Sequence, residues 1–301
     1  MKKLIFILVT GIIILMSGCT KKDPDTKKYI TVSILPQKFF VEKITGDKFE
    51  INVLLPPGVS PHTFEPPPSS LIQLSKSSVY FTAGHLDFEK TWLEKFRSVN
   101  PGMNIIDTSA GVEFISNKGE DHNEEEHEGE IEVQEHHEHA GIDPHIWMSI
   151  KEVKVQCKNI LDAVTKTDPE NKELYAKNFE TFILDLDKLD MQIRTMLTGL
   201  ETRKFIIYHP ALGYFARDYD LEEISVEMDG KDPAPEDLKN LIDTAKAEGI
   251  KVIFVQKQFD TRQAESIADE IGGKVMPLDH LSEDWLNNMI LIARTFQFEL
   301  K

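Results

Sequence analysis

The sequence predicts an α/β protein of two βαβ lobes with mostly parallel sheets, joined by one long rigid helix. Three observations carry this. β-Branched apolar runs of strand length alternate with segments of helical spacing in both halves of the chain. A middle stretch of about thirty residues, opened by Pro169, holds helical spacing with no internal glycine or further proline. About 280 residues follow the N-terminal leader, more than one compact core usually needs and enough for two lobes of ordinary size.

The leader comes first. Lys2 and Lys3 precede an apolar run over residues 4–16, too short for a stable membrane-spanning helix and right for a signal-peptide core within 1–18. Met16-Ser17-Gly18-Cys19 resembles a bacterial lipobox, although methionine stands where leucine is most common. The motif implies cleavage before Cys19, which becomes the lipid-modified first residue. Residues 19–28, rich in lysine, aspartate and proline, then read as a tether that holds the folded part off a membrane.

The first lobe is expected over 29–166. Its strands are predicted at 29–35, 50–55, 79–82 and 104–107, and its helices at 37–45, stopped by Gly46, at 69–76 and at 88–97. A loop at 119–141 breaks the rhythm. Across residues 120–139 it holds five histidines (His122, His127, His136, His137 and His139) and ten carboxylates with no lysine or arginine. Neutral imidazoles donate lone pairs and carboxylates offset a cation's charge, so the tract reads as a flexible, auxiliary set of weak sites for a borderline metal such as zinc. It lacks a pattern that would hold one coordination geometry. A specific site must therefore come from ordered residues elsewhere.

A helix over 149–166 closes the first lobe. The spine helix over 169–198, within a connecting segment at 167–200, would be about 45 Å long at 1.5 Å per residue. Leu174, Phe179, Phe182, Ile183, Leu186, Leu189 and Ile193 are its expected core contacts. The second lobe, 201–301, repeats the rhythm with strands at 204–208, 251–256 and 274–278 and helices at 235–248, 261–271 and 283–299. Pro235 with Glu236 and Asp237 makes a favourable first turn, and Asp260 with Gln263 forms a capping-box pattern. Cys157 has no partner besides the lipidated Cys19 and is expected as a buried small apolar side chain.

Four ligand-type side chains outside the acidic loop stand out. His62 lies in Pro56-Pro57-Gly58-Val59-Ser60-Pro61-His62-Thr63-Phe64-Glu65-Pro66, just past a strand, in a loop that the prolines stiffen. His209 and Asp279 end the strands at 204–208 and 274–278, and His145 follows Asp143-Pro144. Parallel sheets gather their sites at this edge, and three imidazole nitrogens with one carboxylate oxygen would close a tetrahedral shell around zinc.

At these residues the chain resembles a known family, the metal-specific solute-binding lipoproteins of bacterial ABC importers in their zinc and manganese branch. The matching segments are Pro61-His62 with Glu65-Pro66 and Pro68-Ser69, Asp143-Pro144-His145-Ile146-Trp147, Tyr208-His209-Pro210-Ala211-Leu212-Gly213-Tyr214-Phe215, Asp232-Pro233-Ala234-Pro235, Gln258-Phe259 and Leu278-Asp279. The resemblance implies two α/β lobes joined by one long helix, with the metal in the cleft between them. It maps His62, His145 and His209 onto the family's histidine ligands and Asp279 onto the carboxylate that some members add. It further implies a monomeric receptor, not an enzyme, lipid-anchored on the extracytoplasmic side of a bacterial membrane. Such a receptor hands its ion to a permease driven by an ATPase on other chains.

The chain departs from the family at two places. Gln256-Lys257 replaces the usual glutamate and proline before Gln258-Phe259, and His280 replaces the proline usual after the aspartate. His280, water and a loop carboxylate are thus alternatives to Asp279 as fourth donor. His85 matches no family ligand and is expected at the surface or behind the site, while Trp147, Tyr214 and Phe215 are expected as cleft wall or core.

Similar manganese-selective proteins carry a carboxylate where this chain has His209. Oxygen-rich shells suit Mn²⁺ and three imidazoles favour Zn²⁺, so zinc is the expected ion and manganese the alternative. A metal-storage or adhesion lipoprotein without transport is a further alternative. The formal net charge of −17, with no basic stripe, argues against nucleic acid. The chain has no phosphate-loop pattern and no His-Glu-x-x-His helix, so neither nucleotide hydrolysis nor zinc-hydrolase chemistry is expected.

Overall fold

A computed structural model of the chain describes residues 28–116, 141–227 and 233–301. The leader, Cys19, the tether up to residue 27, the five loop histidines and Asp232 lie outside the described residues. The first lobe runs β1 (Lys28–Val32), α1 (Leu35–Thr45), β2 (Phe49–Val53), α2 (Pro68–Leu74), β3 (Ser77–Thr82), α3 (Asp87–Val99) and β4 (Asn104–Asp107). Helices α4 (Ile150–Thr167) and α5 (Lys172–Met196) follow. The second lobe runs β5 (Lys204–Ile207), α6 (Gly213–Tyr219), β6 (Glu222–Ser225), α7 (Pro235–Ala247), β7 (Val252–Gln256), α8 (Arg262–Ile271), β8 (Lys274–Leu278) and α9 (Trp285–Glu299).

Both sheets are parallel at every pairing, with orders β2-β1-β3-β4 and β6-β5-β7-β8. In each, the chain leaves its first strand toward one side and later returns on the other. That reversal opens a crevice at the carboxyl ends, between β1 and β3 and between β5 and β7. The predicted two-lobe α/β architecture is therefore the observed one.

Side-chain parity organises the interior. Along β5 and β7, Phe205, Ile207, Val252 and Phe254 enter the large core, while Ile206, Ile253 and Val255 enter a second core beneath α7 and α8. Period-two alternation does this: neighbouring residues of a strand point to opposite faces. The large core is common to both lobes. Phe40 of α1 meets Trp285 of α9 edge-on at 5.1 Å between ring centres, and Phe182 of α5 lies 6.3 Å from Phe40. Cys157 is buried within that core, as a small apolar residue would be, and burial pushes its thiol pKa up.

The spine is shorter than the sequence predicts. Pro169–Asn171 is a separate 3₁₀ turn, and α5 has 25 residues, about 37 Å of rise. Asp168 accounts for the break. Its carboxylate accepts hydrogen bonds from Asn171, Tyr175 and Lys28, which tightens the first turn. Tyr175, Phe182, Leu186, Leu189 and Ile193 are buried, whereas Leu174 is 38% exposed; Tyr175, one position on, holds the inward place expected of it.

The capping box does not form either. Asp260 accepts from the Arg262 backbone N–H at 2.9 Å and clamps the Arg262 guanidinium, while Gln263 Oε1 accepts the Tyr208 hydroxyl at 2.7 Å. Helix α6 and strand β6 have no counterpart in the sequence reading. One is a seven-residue helix and the other a four-residue edge strand that opens with Glu222-Glu223, both too short to show periodicity. Among the described residues no helix is long and apolar enough to cross a membrane.

Candidate metal centre

His62 hangs from the loop after β2. The chain continues the sheet with Leu54 and Leu55 donating to Val32 and Ser33 carbonyls, turns at Gly58, where φ is +78°, and presents His62 with its side chain 33% exposed. His145 is set by an Asx turn: Asp143 Oδ1 accepts from the His145 backbone N–H at 2.9 Å and faces its Nδ1 at 2.7 Å. Tyr214 donates its hydroxyl proton to the Asp143 carbonyl at 2.8 Å. A Cβ on Gly213, beside it, would stand 2.8 Å from Asp143 Oδ2, so the glycine leaves room for that carboxylate. His209 follows β5 directly. The Gln256 side-chain amide accepts from its N–H and donates to its carbonyl, and the ring stacks on Phe259 at 4.9 Å.

These three histidines come from different segments, yet each offers a ring nitrogen within 4.8 Å of the others. His62 Nε2 and His209 Nε2 are 3.1 Å apart, and His145 Nε2 is buried with no partner. Each Nδ1 meets a carboxylate: Asp87 for His62 at 2.9 Å, Asp143 for His145 at 2.7 Å and Glu227 for His209 at 2.9 Å. A carboxylate takes the Nδ1 proton as its hydrogen bond, which leaves the Nε2 lone pair for the cluster. Converging lone pairs repel one another unless a cation or proton sits among them. Donors about 2.0–2.1 Å from a tetrahedral Zn²⁺ stand roughly 3.3 Å from each other, a spacing this group can reach.

Electrostatics favour a metal over a proton. Burial lowers the His209 pKa to about 4, with Glu227 opposing and His145 and His62 adding to the fall. The His62 hydrogen bond holds Asp87 below the usual carboxylate range. His209 is therefore a neutral imidazole at pH 7, ready to coordinate.

The other candidates fall differently. Asp279 stands outside the group: its Oδ2 pairs with Lys257 Nζ at 3.2 Å and its Oδ1 accepts from the Leu281 N–H at 3.0 Å. His280 also stands outside the group but is buried beside it, its ring centre 5.5 Å from that of His145 and its plane nearly parallel to Trp147, and burial holds its pKa well below the ordinary histidine value. His85 is half-buried against Phe114 at 4.6 Å and belongs to no metal group among the described residues. Trp147 lines the site 5.2 Å from His145, whereas Phe215 packs in the core against Tyr219 and Phe296. Sequence reasoning missed Asp87, Asp143 and Glu227 as partners of the imidazoles. Only Asp143, two residues before His145, left a local signal.

The family described as "Zinc-uptake complex component A periplasmic" matches residues 30–297. The chain belongs to this family. Its members are solute-binding receptors, not enzymes. Among curated relatives, "High-affinity zinc uptake system protein ZnuA" of Bacillus subtilis (strain 168) is 30% identical over 285 residues, covering 91% of this chain and 87% of that protein. "Zinc-binding protein AdcA" of Streptococcus pyogenes serotype M3 is 28% identical over 270 residues, 85% of this chain and 52% of that protein. A solved structure of a ZnuA deletion mutant with zinc bound is 37% identical, covers 91% of this chain and 98% of that one, and superposes with a TM-score of 0.82.

Proposed function

We propose that this chain is an extracytoplasmic receptor that captures Zn²⁺ between its lobes and delivers it to a membrane permease powered by an ATPase on other chains. The observation that carries this is the convergence of three carboxylate-backed imidazoles, His62, His145 and His209, at the mouths of the two sheets. An all-nitrogen set suits zinc better than manganese, and the three carboxylates sit at Nδ1, where they orient ligands instead of binding the ion. Anchoring through lipidated Cys19 and action as a monomer complete the reading. Metal analysis and competition titration of purified protein test it. One tight zinc per chain, held in preference to manganese, is the expected result, and preference for manganese would sink it.

Two further outcomes follow from the same geometry. Deleting residues 120–139 leaves the tight zinc in place, because every proposed histidine donor lies outside that stretch, and removes only weak additional binding. Calorimetric titration of the deletion checks this, and loss of the tight phase would contradict it. Glu227→Ala frees the His209 ring from its anchor and is expected to weaken zinc roughly 10- to 100-fold, as loss of such outer partners does elsewhere. Chelator competition reads the change directly. An unaltered affinity would show that Glu227 does not orient the ligand.

A further inference from the structure

We infer, resting on the zinc reading above, that His280 and not Asp279 is the fourth protein donor to the ion. The two are neighbours past the end of β8, where the burial pattern still alternates: Leu278 and His280 are buried and Asp279 is partly exposed. Past the strand the chain turns, with Asp279 Oδ1 accepting from the Leu281 N–H, and this turn sends His280 inward and Asp279 outward. There its carboxylate is occupied by Lys257 and the Leu281 N–H.

The backbone holds this arrangement. Trp147 Nε1 donates to the His280 carbonyl at 2.7 Å, Trp285 Nε1 donates to the Trp147 carbonyl at 2.8 Å, and Asn288 Nδ2 donates to the Asp279 carbonyl at 2.6 Å. Turning the backbone at 279–280 over would break the bonds to the His280 and Asp279 carbonyls. The His280 ring is 1% exposed, and neither of its nitrogens has a hydrogen-bond partner. His145 Nε2, on the ring 5.5 Å away, is orphaned in the same way. Buried polar atoms are almost always satisfied, and the unpartnered Nε2 of His145 and a neighbouring His280 ring with no partner at either nitrogen are what a cation would satisfy together. The shell then consists of four nitrogens, with Trp147 sealing one side.

The test uses the full chain loaded with one equivalent of Zn²⁺. Zinc-edge X-ray absorption of the unmodified protein, which needs no variant to fold, is expected to count four imidazoles. His280→Gln is expected to reduce the count to three and to weaken zinc on the order of 100-fold in chelator competition. Asp279→Asn, which breaks a partly exposed ion pair, is expected to change affinity by less than about fivefold. Three imidazoles with an oxygen donor in the unmodified protein, or a larger loss for Asp279→Asn than for His280→Gln, overturns the assignment and leaves the zinc reading intact. Failure of the unmodified chain to bind one tight equivalent would instead overturn the zinc reading itself.

Discussion

His145→Ala is expected to weaken zinc binding by roughly 10²–10³-fold. Four-donor zinc sites contribute on the order of 10–16 kcal/mol at neutral pH, or about 3–4 kcal/mol per donor, and each 1.4 kcal/mol is a factor of ten. His145 is the most enclosed of the three clustered histidines, 2% exposed, so water does not readily take its place. His209→Ala should behave alike. His62→Ala should lose less, since its side chain is 33% exposed and a water can enter where the ring was. His85→Ala, whose ring packs on Phe114 apart from the cluster, provides the control and should leave affinity unchanged. Competition against a chelator ranks the four. A larger loss for His85→Ala than for His145→Ala would show that the site lies elsewhere.

The second large effect is on acid behaviour. An ordinary histidine titrates near pH 6.5, but His209 is held neutral to about 4 by burial. Its unfolded form therefore binds more protons than its folded form between those values, and stability falls as pH falls through that window. The contribution is fully present above about 6.5, is lost on passing through about 4, and amounts to on the order of 3 kcal/mol. Zinc and protons compete for the same Nε2 lone pair. At His209 that competition sets in only as the pH approaches about 4, so this ligand stays available at pH 5. Melting of the metal-free protein from about pH 7.5 to about 3.5 should show the decline, and His209→Gln should flatten part of it. A metal-free protein equally stable at pH 6.5 and 4 would contradict the assignment.

The legible parts of this molecule were those written in short-range pattern. Alternating strands and helices, the glycine- and proline-free spine and the three histidines in loops past strands or after Asp143-Pro144 all leave marks within ten residues of themselves. Which of the neighbours Asp279 and His280 faces inward depends on the backbone path just past β8, where a one-residue change exchanges inside for outside. The carboxylates behind the imidazoles were hidden for another reason. Asp87 and Glu227 reach His62 and His209 from 25 and 18 residues away, a pairing made only by the fold. The capping box failed because Tyr208, 55 residues from Gln263 in sequence, competes for its side chain.

Phe40, Phe182, Trp285 and Phe296 belong to one interior shared by the two lobes, so neither lobe can come apart without exposing the other. Melting should accordingly be a single transition. Zinc bound at the cleft then protects the whole chain at once, by about 4 kcal/mol when free zinc is a thousandfold above the dissociation constant. Proteases that attack the transiently opened chain sample its population, which this shift lowers by about a thousandfold. Survival of the molecule thus becomes a record of supply, and where the ion is scarce the copies digested first are those still empty.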